Sequence, residues 1–319
     1  MKTLILSGFG TNCERETRYA CERAGAPLGT GPVDVRHISE IYADGIDLDA
    51  YRFLILIGGF MDGDDLGSGR ACANRFRNRP LPAALGGGTF LDRLRGFIDD
   101  GRLVLAICNV FQVLVTLGLL PGDQRFGDAE SGDSGPGLRG KAHDGVQDAV
   151  QEGAQTVSLT TNARGRFEDR WVRLRMDPAS PCVFTHGLDS IELPVRHGEG
   201  RIAGRSDAQL AALVEGHLTP LRYCLPDGSP TEEYPANPNG SPYGIASLCN
   251  RRGTVMGLMP HPEAFNHYTN HPQWTRRPVP PEAEDGDGLA LFRNAYMYLA
   301  GQAGGAGGSR SDHAAAVRK

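Results

Sequence analysis

The stretch LVLAICNVFQVLVTL, residues 103–117, decides how the rest of the chain is interpreted. Its first five residues are apolar without interruption, which is typical of a strand in a parallel sheet that is covered on both faces. From Asn109 onward, Phe111, Leu114 and Val115 recur at helical spacing. A strand that runs directly into a helix predicts a tight strand–turn–helix junction, with Cys108 at the turn.

Two earlier runs repeat the buried-strand pattern. Leu4–Leu6 and Phe53–Ile57 are fully apolar, and each is followed by a glycine-containing loop and a helix-like stretch. After the first run, Thr11 and Glu14 have the spacing of a capping box, which predicts a helix that Gly25 ends. This alternation predicts an α/β fold, a doubly wound sheet flanked by helices.

Composition excludes several classes of protein. The 319 residues are 40% hydrophobic and 22% charged, as in ordinary soluble domains, and the net charge of −5 does not favour nucleic acid or an anionic membrane as a partner. There is no apolar run of about 18 residues, and the apolar start is too short for a signal peptide. The seven cysteines contain no CxxC pair, so we expect reduced thiols, no structural zinc and a cytoplasmic location.

Cys108 is the first candidate for chemistry. A cysteine at the N-terminus of a helix is favoured as the thiolate, and the free N–H groups there can stabilise an oxyanion. The local segment alone is equally consistent with an inert core cysteine, because cysteine is among the most buried residue types.

A base for such a thiol occurs far downstream. The apolar run Val255–Met259 leads into Pro260-His261-Pro262-Glu263. The prolines stiffen this turn, so His261 and Glu263 can project to the same side, with the carboxylate orienting the imidazole. A His-Pro-Glu sequence alone is more often an ordinary turn, but combined with Cys108 it predicts a Cys–His–Glu triad.

In chain order these motifs resemble the class I glutamine amidotransferases, and within them the glutaminase subunits of phosphoribosylformylglycinamidine synthase. The resemblance covers roughly residues 1–121 and 156–300. The segments that carry it, besides the triad, are Gly8–Cys13, the glycine loop at 58–69, Arg166–Val172, His197–Arg201 (HGEGR) and Pro230–Ala246. It implies a flavodoxin-like mixed sheet, with residues 1–300 as a single domain that has insertions near 70–95, 122–155 and 264–288. Residues 301–319 are predicted to be a disordered tail.

The resemblance also implies residue roles. Cys108 would attack the side-chain amide of glutamine to form a thioester, with His261 as the base that Glu263 orients. The residues implied in the oxyanion hole or in substrate binding are Gly59 or Phe60, Asn109 and Gln112. Those assigned to binding or to a subunit interface, rather than to structure alone, are His197 and Glu199 and, more weakly, Asn162, Arg166 and Arg170. No metal site is predicted, because Pro272 and its neighbours argue for a loop around the pair His267 and His271.

The implied partners follow from the same family. Ammonia would pass to an ATP- and Mg-dependent synthetase subunit in de novo purine biosynthesis, and the family's split form also implies a small bridging subunit. This chain would carry no cofactor of its own.

Two alternatives stay open. One is a class I amidotransferase that serves guanylate, pyrimidine or carbamoyl phosphate synthesis. The other is a non-catalytic interaction protein, in which Val110 obstructs the turn. The family commonly has glycine two residues before and after the nucleophile, where this chain has Ala106 and Val110, and Ile57 stands where related enzymes often have proline. We expect the β-branched Val110 to crowd the turn.

Overall fold

The computed structural model describes residues 1–43, 45–60, 67, 69–83, 86–122, 155–277 and 284–305. The strands are β1 (Thr3–Ser7), β2 (Val33–His37), β3 (Phe53–Leu56), β4 (Leu103–Ile107), β5 (Val157–Thr161), β6 (Glu168–Met176), β7 (Ser190–His197), β8 (Glu199–Gly204), β9 (Leu221–Tyr223), β10 (Ser247–Cys249) and β11 (Val255–Leu258). The helices are α1 (Glu14–Gly25), α2 (Glu40–Ala43), α3 (Arg70–Asn78), α4 (Phe90–Asp99), α5 (Asn109–Thr116), α6 (Asp207–Glu215) and α7 (Leu289–Gly305).

A six-stranded sheet forms the centre of the fold, in the order β10-β11-β4-β3-β1-β2. All neighbouring pairs are parallel except β10 with β11. The apolar runs that predict strands are fully buried in β3 and β4, as expected for strands covered on both faces. The predicted doubly wound mixed sheet flanked by helices is therefore confirmed.

Helices cover this sheet. Helix α1 packs against α7, and α5 packs against α3 and against its own strand, β4. A buried hydrogen bond of 2.8 Å between the hydroxyls of Thr3 and Tyr296 links β1 to α7. The carboxyl ends of the parallel strands are left to the loops, and side chains that follow these strands converge there.

A smaller antiparallel layer completes the described part of the chain. It consists of a three-stranded sheet in the order β7-β6-β9 and a two-stranded pair, β5 with β8. Strand β7 passes beside the edge of the central sheet, where the backbone N–H of His261 donates to the carbonyl of Pro194 at 2.8 Å. This contact brings the HGEGR segment beside the end of β11.

The start of α1 differs from the prediction. The helix itself forms as expected, but Cys13 is its N-cap, in a left-handed conformation (φ 70°), and no side chain caps it. The Thr11 hydroxyl instead accepts a hydrogen bond from the Gly8 N–H at 2.8 Å and so closes the preceding loop. The prediction of a capping box is therefore wrong. The Thr11 hydroxyl, which the pattern assigns to the start of the helix, closes the preceding turn instead.

The predicted insertions and tail are only partly within the described residues. The region 70–95 contains α3 and the start of α4, whereas most of 122–155 and residues 278–283 lie outside the described part. Helix α7 continues to Gly305, so the first residues of the predicted tail are helical, and 306–319 are not described. Among the described helices, none is long and apolar enough to cross a membrane.

Val110 does not prevent the junction from forming. Helix α5 begins at Asn109, directly after Cys108, and the Val110 side chain is buried within the core. The expected crowding has not displaced the start of the helix.

Candidate active site

Cys108 occupies the turn between β4 and α5. Its backbone has φ 53° and ψ −116°, a conformation that non-glycine residues rarely adopt. Its N–H donates to the Leu258 carbonyl at 2.8 Å, and its thiol lies 3.7 Å from the Arg196 carbonyl oxygen. The strand before the turn and the helix after it hold this strained conformation, which gives the thiol a defined direction.

His261 lies beside Cys108 because their strands are neighbours. Strands β4 and β11 are parallel, with Ile107 paired to Leu258, so the segments that follow these two strands leave the sheet at the same edge. The imidazole Nδ1 of His261 is 2.6 Å from Oε1 of Glu263, and both side chains are buried. A carboxylate only accepts hydrogen bonds, so Nδ1 carries a proton, and in the neutral form of the imidazole the lone pair is on Nε2.

The surroundings of His261 act on its pKa in opposite directions. Burial alone lowers the pKa, whereas the Glu263 carboxylate and the neighbouring thiols of Cys108 and Cys13 raise it. The net effect is a pKa well above the ordinary value, because a buried carboxylate favours the imidazolium strongly. This imidazole is therefore suited to accept a proton from a thiol.

The glycine loop after β3 approaches both side chains. A Cβ on Gly58 would be 2.9 Å from Cβ of Cys108 and 3.4 Å from Cε1 of His261, so only glycine leaves room here. Gly59 has φ 134°, which a side chain rarely tolerates. The Phe60 N–H donates to the Gly10 carbonyl at 2.8 Å, so of the two predicted oxyanion donors Phe60 is already engaged.

Gln112 lies one turn into α5 and is buried. Its Nε2 donates to the Glu199 carbonyl at 2.5 Å, and its Oε1 accepts from Nδ2 of Asn109 at 3.0 Å. The side chain thus ties the start of α5 to the HGEGR segment.

His197 and Asn162 form an internal pair. The Asn162 amide nitrogen donates to the carbonyls of His197 and Arg166 at 2.8 and 2.9 Å, so its oxygen faces Nδ1 of His197 at 3.1 Å. Burial and the nearby charge of His261 lower the pKa of His197 to about 3, so this imidazole is neutral. Both side chains are buried, which favours a structural role close to the site.

Arg166 and Arg170 have a different setting. Both donate to the hydroxyl of Tyr234, at 2.8 and 2.6 Å, and both are paired with the buried carboxylate of Glu168. Arg164 lies over the ring of the same tyrosine, 4.1 Å from its centroid. The group forms a cationic patch at the base of β6.

Sequence reasoning missed two features of this site. The thiol of Cys13 lies close enough to His261 to influence its pKa. Within the Pro230–Ala246 run, Asn239 is buried and donates to the Gly200 carbonyl at 2.8 Å, which holds the HGEGR turn. The long polar run was a signal for the second feature, but its structural role depends on contacts with distant residues.

This site combines a thiol on a strand–helix turn with a carboxylate-paired imidazole at the end of the adjoining strand. On a sheet of this kind, that combination defines the class of glutamine amidotransferase domains. Residues 1–299 match the family of CobB/CobQ-like glutamine amidotransferase domains, to which the chain therefore belongs.

Relatives and a solved structure agree with this assignment. The chain is 37% identical to the phosphoribosylformylglycinamidine synthase subunit PurQ of Dehalococcoides mccartyi, over 93% of this chain and 97% of that protein. It is 34% identical to the PurQ subunit of Methanococcus maripaludis, over 93% and 97% of the two chains. Its fold resembles a chain in the PurLQS structure from Thermotoga maritima, with a TM-score of 0.58 at 23% identity, covering 93% of this chain and 98% of that chain.

Proposed function

We propose that this chain is the glutaminase subunit of phosphoribosylformylglycinamidine synthase, with Cys108, His261 and Glu263 as its catalytic triad. The observation that carries the proposal is the Cys108 turn beside the buried His261–Glu263 pair, in a chain whose relatives at 34–37% identity are PurQ subunits. The enzyme acts on glutamine as a component of a ligase complex in purine biosynthesis.

The geometry supports a two-stage reaction. The sulfur of Cys108 attacks the side-chain amide carbon of glutamine, and the thiol proton passes to Nε2 of His261. The resulting imidazolium returns that proton to the departing amine, which releases ammonia and leaves a thioester. His261 then takes a proton from water, whose oxygen attacks the thioester, and glutamate is released with the thiol restored.

Two groups are proposed to support these steps. The Gly59 N–H, from a loop where Phe60 is already bonded, would share the oxyanion hole with the Asn109 N–H at the start of α5. Gln112 is buried beside Asn109, so it would contact the bound glutamine through the face of its amide that is directed away from Glu199.

We assign the ATP and Mg chemistry to a separate synthetase subunit and propose that a small bridging subunit is also part of the assembly. We place this assembly in the cytoplasm. The test is reconstitution of the chain with these subunits, formylglycinamide ribonucleotide, ATP and Mg. We expect the amidine to form from glutamine, with one glutamate released for each amidine. Transfer of nitrogen to a guanylate, pyrimidine or carbamoyl phosphate precursor in place of this acceptor would refute the proposal.

We further propose that the synthetase docks over exposed aromatic side chains at the mouth of the site. Phe60 and Phe167 are 53% and 51% exposed, and their rings stack with centroids 6.4 Å apart. Phe60 directly follows Gly59, so the stacked pair continues from the proposed oxyanion loop. Exposed Arg166 precedes Phe167 and would form part of the polar rim, with Arg170 behind it. The buried side chains of His197 and Asn162 would support this surface from within. The Glu199 backbone would also support it, through the hydrogen bond that its carbonyl accepts from Gln112.

The change Phe167→Glu should weaken binding of the synthetase about tenfold or more, because aromatic anchors dominate interface energetics and a carboxylate resists desolvation. Titration of the synthetase against glutamine-dependent activity measures the effect. The matched control is Met297→Glu on α7, also 51% exposed, which should leave the affinity unchanged. Equal affinity of both variants would exclude Phe167 from the docking surface.

A further inference from the structure

A second thiol, that of Cys13, lies beside the imidazole of His261. The Cys13 sulfur, a ring nitrogen of His261 and a carboxylate oxygen of Glu263 lie within 4.8 Å of one another. Because Glu263 already holds Nδ1 at 2.6 Å, the nitrogen left to face the thiols of Cys13 and Cys108 is Nε2. Within the described residues, Nε2 is buried and makes no hydrogen bond. Two sulfurs are therefore adjacent to one unpaired nitrogen.

The backbone fixes Cys13 on its side of the imidazole. Cys13 is the N-cap of α1 with φ 70°, and Cys108, the N-cap of α5, has φ 53°. Residues other than glycine rarely adopt a positive φ, and such strain is concentrated at functional sites. The Cys13 carbonyl accepts from the Thr17 N–H at 2.9 Å, and the preceding Asn12 N–H donates to the Gly58 carbonyl at 3.0 Å. Helix α1 and the glycine loop thus hold both ends of this strained position.

The Cys13 thiol presents its lone pairs, rather than its proton, to the imidazole. Its S–H donates to Oδ1 of Asn12 at 3.3 Å. Burial raises the pKa of this thiol, so it keeps its proton at neutral pH. A thiol whose hydrogen is already engaged can act toward Nε2 only as an acceptor. The contact therefore becomes a hydrogen bond when His261 carries a proton on Nε2.

We propose that Cys13 is a positioning residue of the glutaminase site, whose sulfur accepts the Nε2–H of His261 while this imidazole carries the proton of Cys108. A thiolate at Cys108 attracts Nε2–H, but it loses its charge when the sulfur bonds to the amide carbon of glutamine. The Cys13 sulfur then provides the acceptor until the departing amine takes the proton. Catalytic hydrogen bonds are often long in the free enzyme and tighten during the reaction.

The protons of this step balance. Cys108 loses one proton, Nε2 of His261 gains it and then returns it to the departing amine, and Cys13 keeps its own proton on Asn12 throughout. The kinetic consequence rests on the proposed function, whereas the contact between the Cys13 sulfur and a charged His261 does not.

The titratable groups that bear on His261 come from several elements. The carboxylate of Glu263 lies on its own turn, and the thiols of Cys13 and Cys108 come from the starts of α1 and α5. His197, from the end of β7, is held neutral because burial lowers its pKa to about 3. Glu16, on the first turn of α1, acts on Cys13. Removal of the Cys13 sulfur should therefore make a measurable difference to the protonation of Nε2.

The first experiment measures glutamine hydrolysis by the assembled enzyme. We expect kcat to fall about three- to tenfold in Cys13→Ala, because sulfur is a weak acceptor even toward a charged donor. KM should stay within about twofold, because Cys13 acts on the imidazole and not on glutamine. The serine hydroxyl is also an acceptor, so Cys13→Ser should restore kcat to within about twofold of the unmodified chain.

Cys21→Ala is the matched control, because Cys21 lies on the same helix and is not one of the thiols that act on His261. Once its fold is verified, this variant should keep the kcat of the unmodified chain. A kcat for Cys13→Ala that equals or exceeds that of the unmodified chain would overturn the proposal. Equal losses in Cys13→Ala and Cys13→Ser would do the same, because they would indicate a packing role.

The second experiment needs no activity and therefore separates the role of Cys13 from the proposed function. The pKa of His261 is measured by NMR of isotope-labelled histidine in Cys108→Ala, and its signal is identified by its loss in His261→Gln. We expect the additional change Cys13→Ala to lower this pKa, because the imidazolium loses an acceptor, and Cys13→Ser to leave it raised. A pKa of His261 that is the same with and without the Cys13 sulfur would overturn the proposal, whatever the activity.

Discussion

Replacement of Cys108 by alanine should abolish glutamine-dependent amidine formation by the reconstituted complex, while formation from added ammonia continues. Without the sulfur no thioester can form, and we expect the glutamine-dependent rate to fall at least about 10³-fold. Ammonia bypasses this subunit's chemistry, so the synthetase reaction should stay within about twofold if the complex assembles. Parallel assays with glutamine and with ammonium at fixed ATP measure both rates.

The buried Cys224, which is not one of the thiols that raise the pKa of His261, supplies a control: Cys224→Ala should retain both activities once its fold is verified. A diazo-ketone analogue of glutamine should label the unmodified chain at Cys108 and leave Cys108→Ala unlabelled. If the two activities of Cys108→Ala fell together, or glutamine use persisted, Cys108 would not be the nucleophile.

The second large effect is expected for Glu263→Gln. A carboxamide can donate a hydrogen bond to Nδ1 of His261, which moves the imidazole proton to Nε2 and leaves no lone pair facing the thiol. The kcat for glutamine hydrolysis should fall about 10³- to 10⁴-fold, as in serine hydrolases with the equivalent change. The KM should change little, because the carboxylate lies behind the imidazole. Steady-state kinetics of the assembled enzyme give both constants.

Glu192 provides the matched control for Glu263. Its Oε2 is 3.1 Å from Nε2 of His271, so Glu192→Gln alters a carboxylate–histidine pair outside the active site. That variant should keep kcat within about threefold. If Glu263→Gln behaved in the same way, the orienting role of Glu263 would be excluded.

Glu263→Gln should also change how the stability of the protein depends on pH. The pKa of His261 is raised in the folded state, so the stabilisation from its charge is complete below the unfolded pKa of about 6.5 and is lost as pH rises through the folded value. The difference in unfolding free energy between the unmodified chain and Glu263→Gln should therefore be larger at pH 6 than at pH 9. Denaturant unfolding at the two pH values measures it, and a difference that grew with pH would contradict the raised pKa.

Local patterns in the sequence are sufficient to predict the strands and the turn that carries Cys108. The predicted strand Leu103–Ile107 has the bounds that the structure shows, and the helix predicted from Asn109 onward begins at that residue. Uninterrupted apolar runs report strands covered on both faces, and helical spacing reports one buried helix face. Where a local hydroxyl had two possible partners, as at Thr11, the pattern chose the wrong one.

Contacts between distant residues required the tertiary structure. The side-by-side position of Cys108 and His261 depends on the register of β4 with β11. The engaged N–H of Phe60, the burial of His197 and the approach of Cys13 to His261 all depend on loops that leave different strands and meet at one edge of the sheet. Hydrophobic periodicity constrains which face of an element is buried, but it does not specify which element lies opposite. In this chain, the packing of distant elements against one another places the thiols of Cys108 and Cys13 beside the imidazole of His261.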